Sequence, residues 1–571
     1  METLGATTVI LTDKTGTLTE NRMTVRRVWV ASAEVEIEPD AGNAVLHSQL
    51  ERHPEFARLL AIAVLCNDAA LEGAADNGTG DPMELALLRL GLRAYIERSA
   101  LLRNEPVVQK HAFDASFKMM ATIHEHGDDF LFAVKGAPER ILAACDRVLS
   151  SGGDVVLDFD TRNKWLRRVD LLGQHGLRVL ACAFKTDTRI DAPPYADLTF
   201  AGLLALEDPV RLDVAGAIVA CHQAGIRVIM VTGDHAVTAR SIARAAKLGE
   251  NLAVAEGKEV ERLAKGNNGD LLRVGIFARV SPAEKLDLVR AYQAAGEIVA
   301  MTGDGVNDAP ALRQADIGIA MGKRGTDVAR EAAAMILLDD AFPTIVKAIR
   351  EGRIIFGNIR RFACYLLACN VTELLVIGLA VISTIPLPIL PLQILYLNLV
   401  TDVFPAFALA MGEGESGILK RRPRDPKEPI LGRSQWLTVA LHSLTMCAGT
   451  FGALAAARLW LDLDAGSVVT LTFLTLAFAQ LWQVFNMRHP RATVLRNEVT
   501  RNPWVWMALL LCTVFLVIPP YVPPIADVLH LTAVTPAMWA VILGLSVAPL
   551  LVTQVVTQML VSWRNPSPLN A

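Results

Sequence analysis

Asp13-Lys14-Thr15-Gly16-Thr17-Leu18-Thr19-Glu20-Asn21 follows directly on the apolar run Thr7-Thr8-Val9-Ile10-Leu11. The run reads as a buried strand, and the aspartate stands at its exit. A carboxylate at the carboxyl edge of a strand, followed by a glycine-containing turn whose backbone N–H groups can cradle a phosphoryl group, can accept phosphate and later release it. An ordinary capped strand-to-helix turn is the plainer alternative.

Three more apolar segments end in acidic or glycine-rich turns: residues 228–231 before Thr232-Gly233-Asp234, residues 298–301 before Thr302-Gly303-Asp304-Gly305-Val306-Asn307-Asp308, and residues 317–321 before Gly322. With helical stretches between them, they predict an α/β fold built on a doubly wound parallel sheet. Ligands bind such sheets beyond the carboxyl ends of the strands, so Asp13, Thr232, Asp234, Asp304 and Asp308 should converge. Two carboxylates facing a phosphate need a cation between them. That makes Asp13 and Asp304 the expected Mg²⁺ ligands, with the Thr15 carbonyl as a third.

The chain has 571 residues, 52% of them hydrophobic. Its mean hydropathy is positive, too apolar for a wholly soluble protein. Six segments are long enough to cross a bilayer, at about 361–383, 391–411, 436–460, 467–487, 503–522 and 536–562. Lys420, Arg421, Arg422, Arg424 and Lys427 follow the second segment, and Arg488, Arg491, Arg496 and Arg501 follow the fourth. This bias predicts a multi-pass protein with both ends cytoplasmic. Eight cysteines without paired spacing indicate neither a disulfide framework nor a zinc site, and a net charge of −4 implies no nucleic-acid partner. The first residues carry no cleavable signal, so the first span would act as the membrane signal.

Polar residues inside spans are costly and mark pathways. Asn370 and Glu373 lie in the first span, and Asn398, Thr401 and Asp402 in the second, at helical spacings of three and four. Carboxylates with amide and hydroxyl oxygens suit a hard cation such as Ca²⁺. Pro405, just beyond, can break the helix locally and free carbonyls. Hydrogen-bonding glue between helices is the alternative for the asparagines.

The DKTGTLT string resembles the phosphorylation motif of the P-type ATPases, pumps that form an aspartyl-phosphate, and the sheet resembles the haloacid-dehalogenase-like fold. The resemblance implies a phosphorylation domain at 1–24 and 207–342, an inserted α+β nucleotide-binding domain at 25–206, and a stalk with a six-helix, all-α membrane bundle at 343–571. Lys14, Gly233 and Asn307 would complete the catalytic motifs, with Lys285 offsetting phosphoryl charge. The strings Gly80-Asp81-Pro82-Met83-Glu84, Phe113-Asp114-Ala115-Ser116-Phe117-Lys118, Val134-Lys135-Gly136-Ala137-Pro138-Glu139 and Gly176-Leu177-Arg178 resemble the family's ATP-binding motifs. By that resemblance Phe113 stacks on adenine, Glu84 bonds its amino edge, Lys118 and Lys135 line the pocket, and Arg178 meets phosphate, with Gly136 and Arg279 as further nucleotide-binding residues. Asp114 and Ala115 depart from the family's basic residues.

Asn370, Glu373, Asn398, Thr401 and Asp402 match the cation ligands of the calcium-type branch, while Gln480 stands where the sarcoplasmic-reticulum-like pumps have a glutamate. One charge fewer leaves Mn²⁺ or Na⁺ as other cargoes. Simple phosphatases of the superfamily carry an aspartate at the position of Thr15, so water attack here should be slow, which favours a pump. The family's first four membrane helices and its actuator domain have no counterpart between Met1 and Asp13 or elsewhere, and Thr-Gly-Glu does not occur. A truncated reading frame or half of a split pump is therefore expected, with a separate chain supplying the rest. The functional alternative is a membrane-anchored ATP-binding module that does not transport. The lack of long regulatory tails points to a bacterial plasma membrane.

Overall fold

A computed structural model describes residues 2–37, 43–72, 77–265, 268–415, 417–425, 427–489 and 492–564. Met1 and Arg491, used above, lie outside these residues. The chain divides into two compact units, one of Thr8–His222 with Ile226–Ile345 and one of Met1–Thr7, Gln223–Gly225 and Val346–Ala571.

The first unit is built on seven parallel strands: β1 (Val9–Asp13), β2 (Arg227–Val231), β3 (Ala253–Glu256), β4 (Val274–Ala278), β5 (Val299–Gly303), β6 (Ile317–Met321) and β7 (Met335–Leu337). Their order is β3-β4-β2-β1-β5-β6-β7. Both faces carry helices, so β1, β4, β5 and β6 are buried along almost their whole length rather than alternating. Val9, Leu11, Val231, Phe277, Val289 and Met301 share one core. The order reverses at β1: the chain builds outward through β2 on one side and through β5 on the other. Asp13 pairs in register with Val231, and Leu11 with Met301. The crevice beyond β1 and β5 is thus the switch point where such sheets bind ligands.

Between β1 and β2 lies a mostly antiparallel nine-stranded sheet. The chain enters it by Thr24–Trp29 and leaves by Leu198–Glu207, which pair with each other, Val25 opposite Leu206. A bridge between Thr19 and Val210 continues that pairing back toward β1. Helices Pro54–Leu65 and Pro82–Arg93 cover one core of this sheet, and Phe159–Gln174 contributes Trp165 and Leu172 to another.

Among the described residues six helices are long and apolar enough to span a membrane, all in the second unit but for the first four residues of α1: α1 (Phe342–Ile382), α2 (Pro391–Ala410), α3 (Arg433–Leu459), α4 (Ala465–Met487), α5 (Pro503–Tyr521) and α6 (Pro536–Leu560). α1 is 41 residues long and begins well before its apolar stretch. α4 is the most enclosed. Pro405 does not end α2, which continues through Val403–Ala410; the irregularity is a π turn at Asn398–Asp402. Proline lacks the N–H that would bond the Thr401 carbonyl one turn back. That carbonyl instead accepts the Tyr365 hydroxyl at 2.7 Å.

Gly318 in β6 shows how closely the sheet is packed, since an added Cβ would sit 2.3 Å from the Leu312 carbonyl oxygen. Gly318→Ala is expected to destabilise the chain by about 1–3 kcal/mol. Gly216→Ala, at a helical position with open space, should be neutral or stabilising by up to about 1 kcal/mol. Denaturant unfolding of the two variants checks this, and equal midpoints would count against the packing described.

Candidate functional site

The turn after β1 places the first groups. Thr15 is extended, and Gly16 takes φ +72°, where an added Cβ would lie 3.2 Å from Asp304 Oδ2. The positive φ favours glycine here, and a side chain would also crowd Asp304. The Lys14 N–H donates to Asp13 Oδ1 at 2.6 Å. Thr302, at the end of β5, accepts the Asp13 N–H at 3.2 Å and bonds Thr12, fastening β1 to β5 beneath the carboxylate.

Lys285 comes from helix Pro282–Ala294. Ser281 and Glu284 form a reciprocal capping box, with Pro282 at the first helical position, so the sequence itself starts the helix at that point. Lys285 Nζ donates to Asp13 Oδ2 at 2.6 Å and to Asp308 Oδ1 at 2.7 Å. The other oxygen of Asp308 accepts the N–H groups of Asp304 and Gly305 at 3.3 and 3.2 Å. Asp308 thus positions both the lysine and the loop carrying Asp304. Asn307, beside it, is exposed.

Burial raises the Asp13 carboxyl above the usual range, with Lys285 pulling it back. Burial alone would lower the Lys285 ammonium, but Asp13 and Asp308 carry it above its ordinary value. Asp304 is pushed up to about 6, by burial first and then by Asp13 and Asp308. Three carboxylates share one ammonium, which leaves an excess of negative charge in a partly dry crevice.

Among the described residues no three His, Cys, Asp or Glu side chains converge tightly enough to hold a metal unaided. Mg²⁺ does not need that, because it keeps several waters and binds through one or two carboxylates plus phosphate oxygens. The crowded carboxylates and the raised Asp304 fit a hard divalent cation at this position.

Thr232, Gly233 and Asp234 follow β2. Thr232 accepts the Asp234 N–H at 3.1 Å, Lys14 Nζ lies 2.8 Å from Asp234, and Gly233 is exposed with open space around it. Arg279 is tied to the same turn, its N–H donating to the Asp234 carbonyl and its guanidinium lying 3.0 Å from His235 Nδ1. Arg178 lines a cleft of about 590 Å³ with Lys14, Asp234, His235 and Arg26.

On the inserted sheet, Phe113, Lys118, Lys135 and Gly136 come from neighbouring strand ends, Met119 pairing with Gly136 and Met120 with Lys135. Phe113 is 63% exposed, unusual for so large an apolar ring. Lys135 Nζ donates to Glu84 Oε1 at 2.6 Å in a largely buried pair, and an added Cβ at Gly136 would lie 2.4 Å from the Lys118 carbonyl. Arg178 is thus at the cleft beside Lys14, while Phe113, Lys118 and Lys135 lie on the inserted sheet, where Lys135 meets Glu84 from helix Pro82–Arg93.

In the helical unit Asn370 donates to Asp402 Oδ2 at 3.2 Å, Gln480 donates to Glu373 Oε1 at 2.9 Å, and Thr401 donates to Gln480 Oε1 at 2.8 Å. Asp402 Oδ1 and Asn398 Oδ1 are buried without hydrogen-bond partners. Leaving such oxygens dry is costly unless a cation joins them.

Several contributing residues were not singled out by the motifs. Asp208 holds Thr19 Oγ1 at 2.6 Å, Asp340 accepts the N–H groups of Gly322, Lys323 and Arg324, and Tyr365 caps the π turn. Pro405 was the signal for Tyr365, since a missing donor requires a replacement.

Residues 55–213 match the family model described as P-type ATPase, cytoplasmic domain N, and residues 386–559 match cation transporting ATPase, C-terminus. A calcium-transporting ATPase of Bacillus subtilis is 36% identical over 568 residues, covering 96% of this chain and 63% of that protein. One from Listeria monocytogenes is 35% identical over 521 residues, covering 90% and 58%. The sodium/potassium-transporting ATPase subunit alpha-2 of Gallus gallus is 38% identical over 498 residues, covering 78% and 49%. The chain therefore spans between 49% and 63% of the length of these relatives. A parallel sheet with an inserted domain is thus joined in one chain to helices long and apolar enough to cross a membrane. The chain belongs to the P-type cation-transporting ATPase family.

Because Asp304 is raised to about 6, its contribution to the stability of the metal-free chain is full below its unfolded value and is lost as pH rises through about 6. Mg²⁺ should reverse that loss. Stabilisation by Mg²⁺ is expected to be larger at about pH 7.5 than at about pH 5, and Asp304→Asn should flatten the difference. Unfolding midpoints with and without Mg²⁺ check this; a Mg²⁺ effect independent of pH and of Asp304 would contradict it.

Proposed function

We propose that the chain is the catalytic and ion-binding portion of an ATP-driven cation pump that works through phosphorylation of Asp13. The observation that carries this reading is the setting of Asp13, at the switch point of the parallel sheet with one oxygen on Lys285 and the other on the Lys14 amide. An Asp13 oxygen attacks the γ-phosphorus of ATP, the bond from that phosphorus to the bridging oxygen breaks, and ADP leaves. Water attack on the acyl-phosphate then restores the carboxylate and yields inorganic phosphate.

Lys285 balances charge on the transferred group, and Asp308 holds Lys285 in place. Asp13, Asp304 and the Thr15 carbonyl would hold Mg²⁺, which would neutralise charge on the phosphate oxygens. ATP would lie with adenine on Phe113 near Glu84, Lys118, Lys135 and Gly136, and its phosphates toward Arg178, Lys14 and Arg279. Thr15 stands two residues after Asp13, where simple phosphatases of the superfamily carry the acid–base aspartate, so water attack is slow and the phosphorylated form persists long enough to drive a conformational change.

The cargo is a hard cation, Ca²⁺ in first place, held by Glu373, Asp402, Asn398, Asn370, Thr401 and Gln480. The unpartnered oxygens of Asp402 and Asn398 support this reading. The actuator segment and the further helices come from a separate chain or from a longer form of this one.

The test is incubation of membranes containing the chain with ATP labelled at the γ-phosphate, followed by acid quenching. Acid-stable label that rises with Ca²⁺ is expected. Asp13→Asn should reduce it by at least about a hundredfold, the scale of a lost nucleophile, and Asp402→Asn should remove the Ca²⁺ response while leaving Asp13 competent. Label that ignores Ca²⁺ would favour the non-transporting module, and label surviving Asp13→Asn would refute the mechanism.

A further inference from the structure

A cavity of about 420 Å³ opens at one end of the helical unit, away from the cation ligands. It is formed by α1 before its apolar stretch, the connection after α2, Gln435 at the start of α3, and the residues closing α4. Alternation of the spans puts the end of α2, the start of α3 and the end of α4 on the same side of the bilayer. Its volume is within the range of small-molecule sites.

Seven arginines line the cavity against two glutamates. Three are balanced locally: Arg360 lies 2.8 Å from Glu428, Arg361 2.9 Å from Glu498 and Arg421 2.7 Å from Glu415. Among the described residues Arg422 and Arg488 form no ion pair with a carboxylate, Arg488 donating instead to the carbonyls of His489 and Ala492. The cavity therefore keeps a net positive charge. Part of it is held rigidly: the guanidinium carbons of Arg360 and Arg424 lie 4.9 and 3.7 Å from the centre of the Phe356 ring.

Charge bias alone would serve topology, but topology requires neither a cavity nor an apolar wall. Here Ile354, Phe356, Ile418 and Met487 supply that wall. Trp436 and Leu437, directly after Gln435, are 52% and 70% exposed. Tryptophan at such a helix end sits at headgroup level, and basic pockets between membrane helices fit anionic headgroups.

We infer that this cavity binds the phosphate of an anionic phospholipid, with Arg422 and Arg488 as its contacts and the acyl chains leaving past Trp436 and Leu437. Arginine pairs with phosphate through two parallel N–H donors, which suits a phosphodiester better than a bulk field of lysines would. The site is independent of Asp13 and of the cation ligands.

The test uses the full chain, purified in neutral detergent and titrated with short-chain phosphatidylglycerol, short-chain phosphatidylcholine or inorganic phosphate while its thermal unfolding midpoint is followed. Phosphatidylglycerol is expected to raise the midpoint more than phosphatidylcholine does, and Arg422→Gln/Arg488→Gln should weaken its apparent affinity about tenfold or more, the scale of lost charged hydrogen bonds. Lys427→Gln/Arg501→Gln, which removes two basic residues outside the cavity lining, should leave the affinity unchanged. Arg422 is exposed, so Arg422→Gln alone retains the fold and carries the test if the double variant does not. Equal losses in the two double variants, no preference over phosphatidylcholine, or the same shift with inorganic phosphate would each overturn the assignment.

Discussion

One ammonium holds the crevice beyond β1 and β5 together. Lys285 touches Asp13 and Asp308 at the same time, and Asp304 lies close enough to both carboxylates for them to raise its pKa. The crowding comes from topology, since β1 and β5 are neighbours and each ends in an acidic turn at the same edge. Parallel strands cannot offer a switch-point crevice without bringing their exit turns together. Carboxylates placed there must be balanced, by Lys285 and by a metal, or they lose their charge. The setting of Asp13 and the stability of the loop at Asp304 are therefore two consequences of a single charge balance.

The helical unit solves a related problem with different means. Glu373 and Asp402 are buried among apolar helices, and each is met by an amide, from Gln480 and Asn370 respectively. Thr401 links Gln480 to the π turn, whose freed carbonyl is taken by Tyr365. Polar atoms at this depth are thus joined into a network, with the oxygens of Asp402 and Asn398 left over. A π turn is a common way of turning side chains toward a functional site without ending a helix.

Much of this was legible in the sequence because the informative segments are buried on both faces. Continuous apolar runs ending in acidic or glycine-rich turns marked β1, β2, β5 and β6 and the convergence of Asp13, Asp234, Asp304 and Asp308. The runs 253–256, 274–278 and 335–337 were not marked, since the first and last are only four and three residues long and 274–278 exits into Arg279-Val280-Ser281, without an acid or glycine, yet they form β3, β4 and β7. The membrane segments stood out by length and hydropathy, whereas the start of α1 did not, because its first part is an amphipathic helix continuous with the span. Contacts set by tertiary position stayed hidden. Thr302 beneath Asp13 and Asp340 under the loop at Gly322 have no local signal, because each partner lies well away along the chain, and Pro405 marks the freed Thr401 carbonyl without indicating that Tyr365 takes it.

The charge balance at Lys285 is tested most directly by a double-mutant cycle on unfolding free energy with Lys285→Met, Asp308→Asn and the pair. Lys285→Met should cost about 3–5 kcal/mol, the scale of a buried ion pair broken on one side. Adding Asp308→Asn should restore part of that loss, giving a coupling of at least about 1 kcal/mol. Strictly additive effects, or a Lys285→Met variant as stable as the parent chain, would contradict the view that this ammonium is what holds the crevice together.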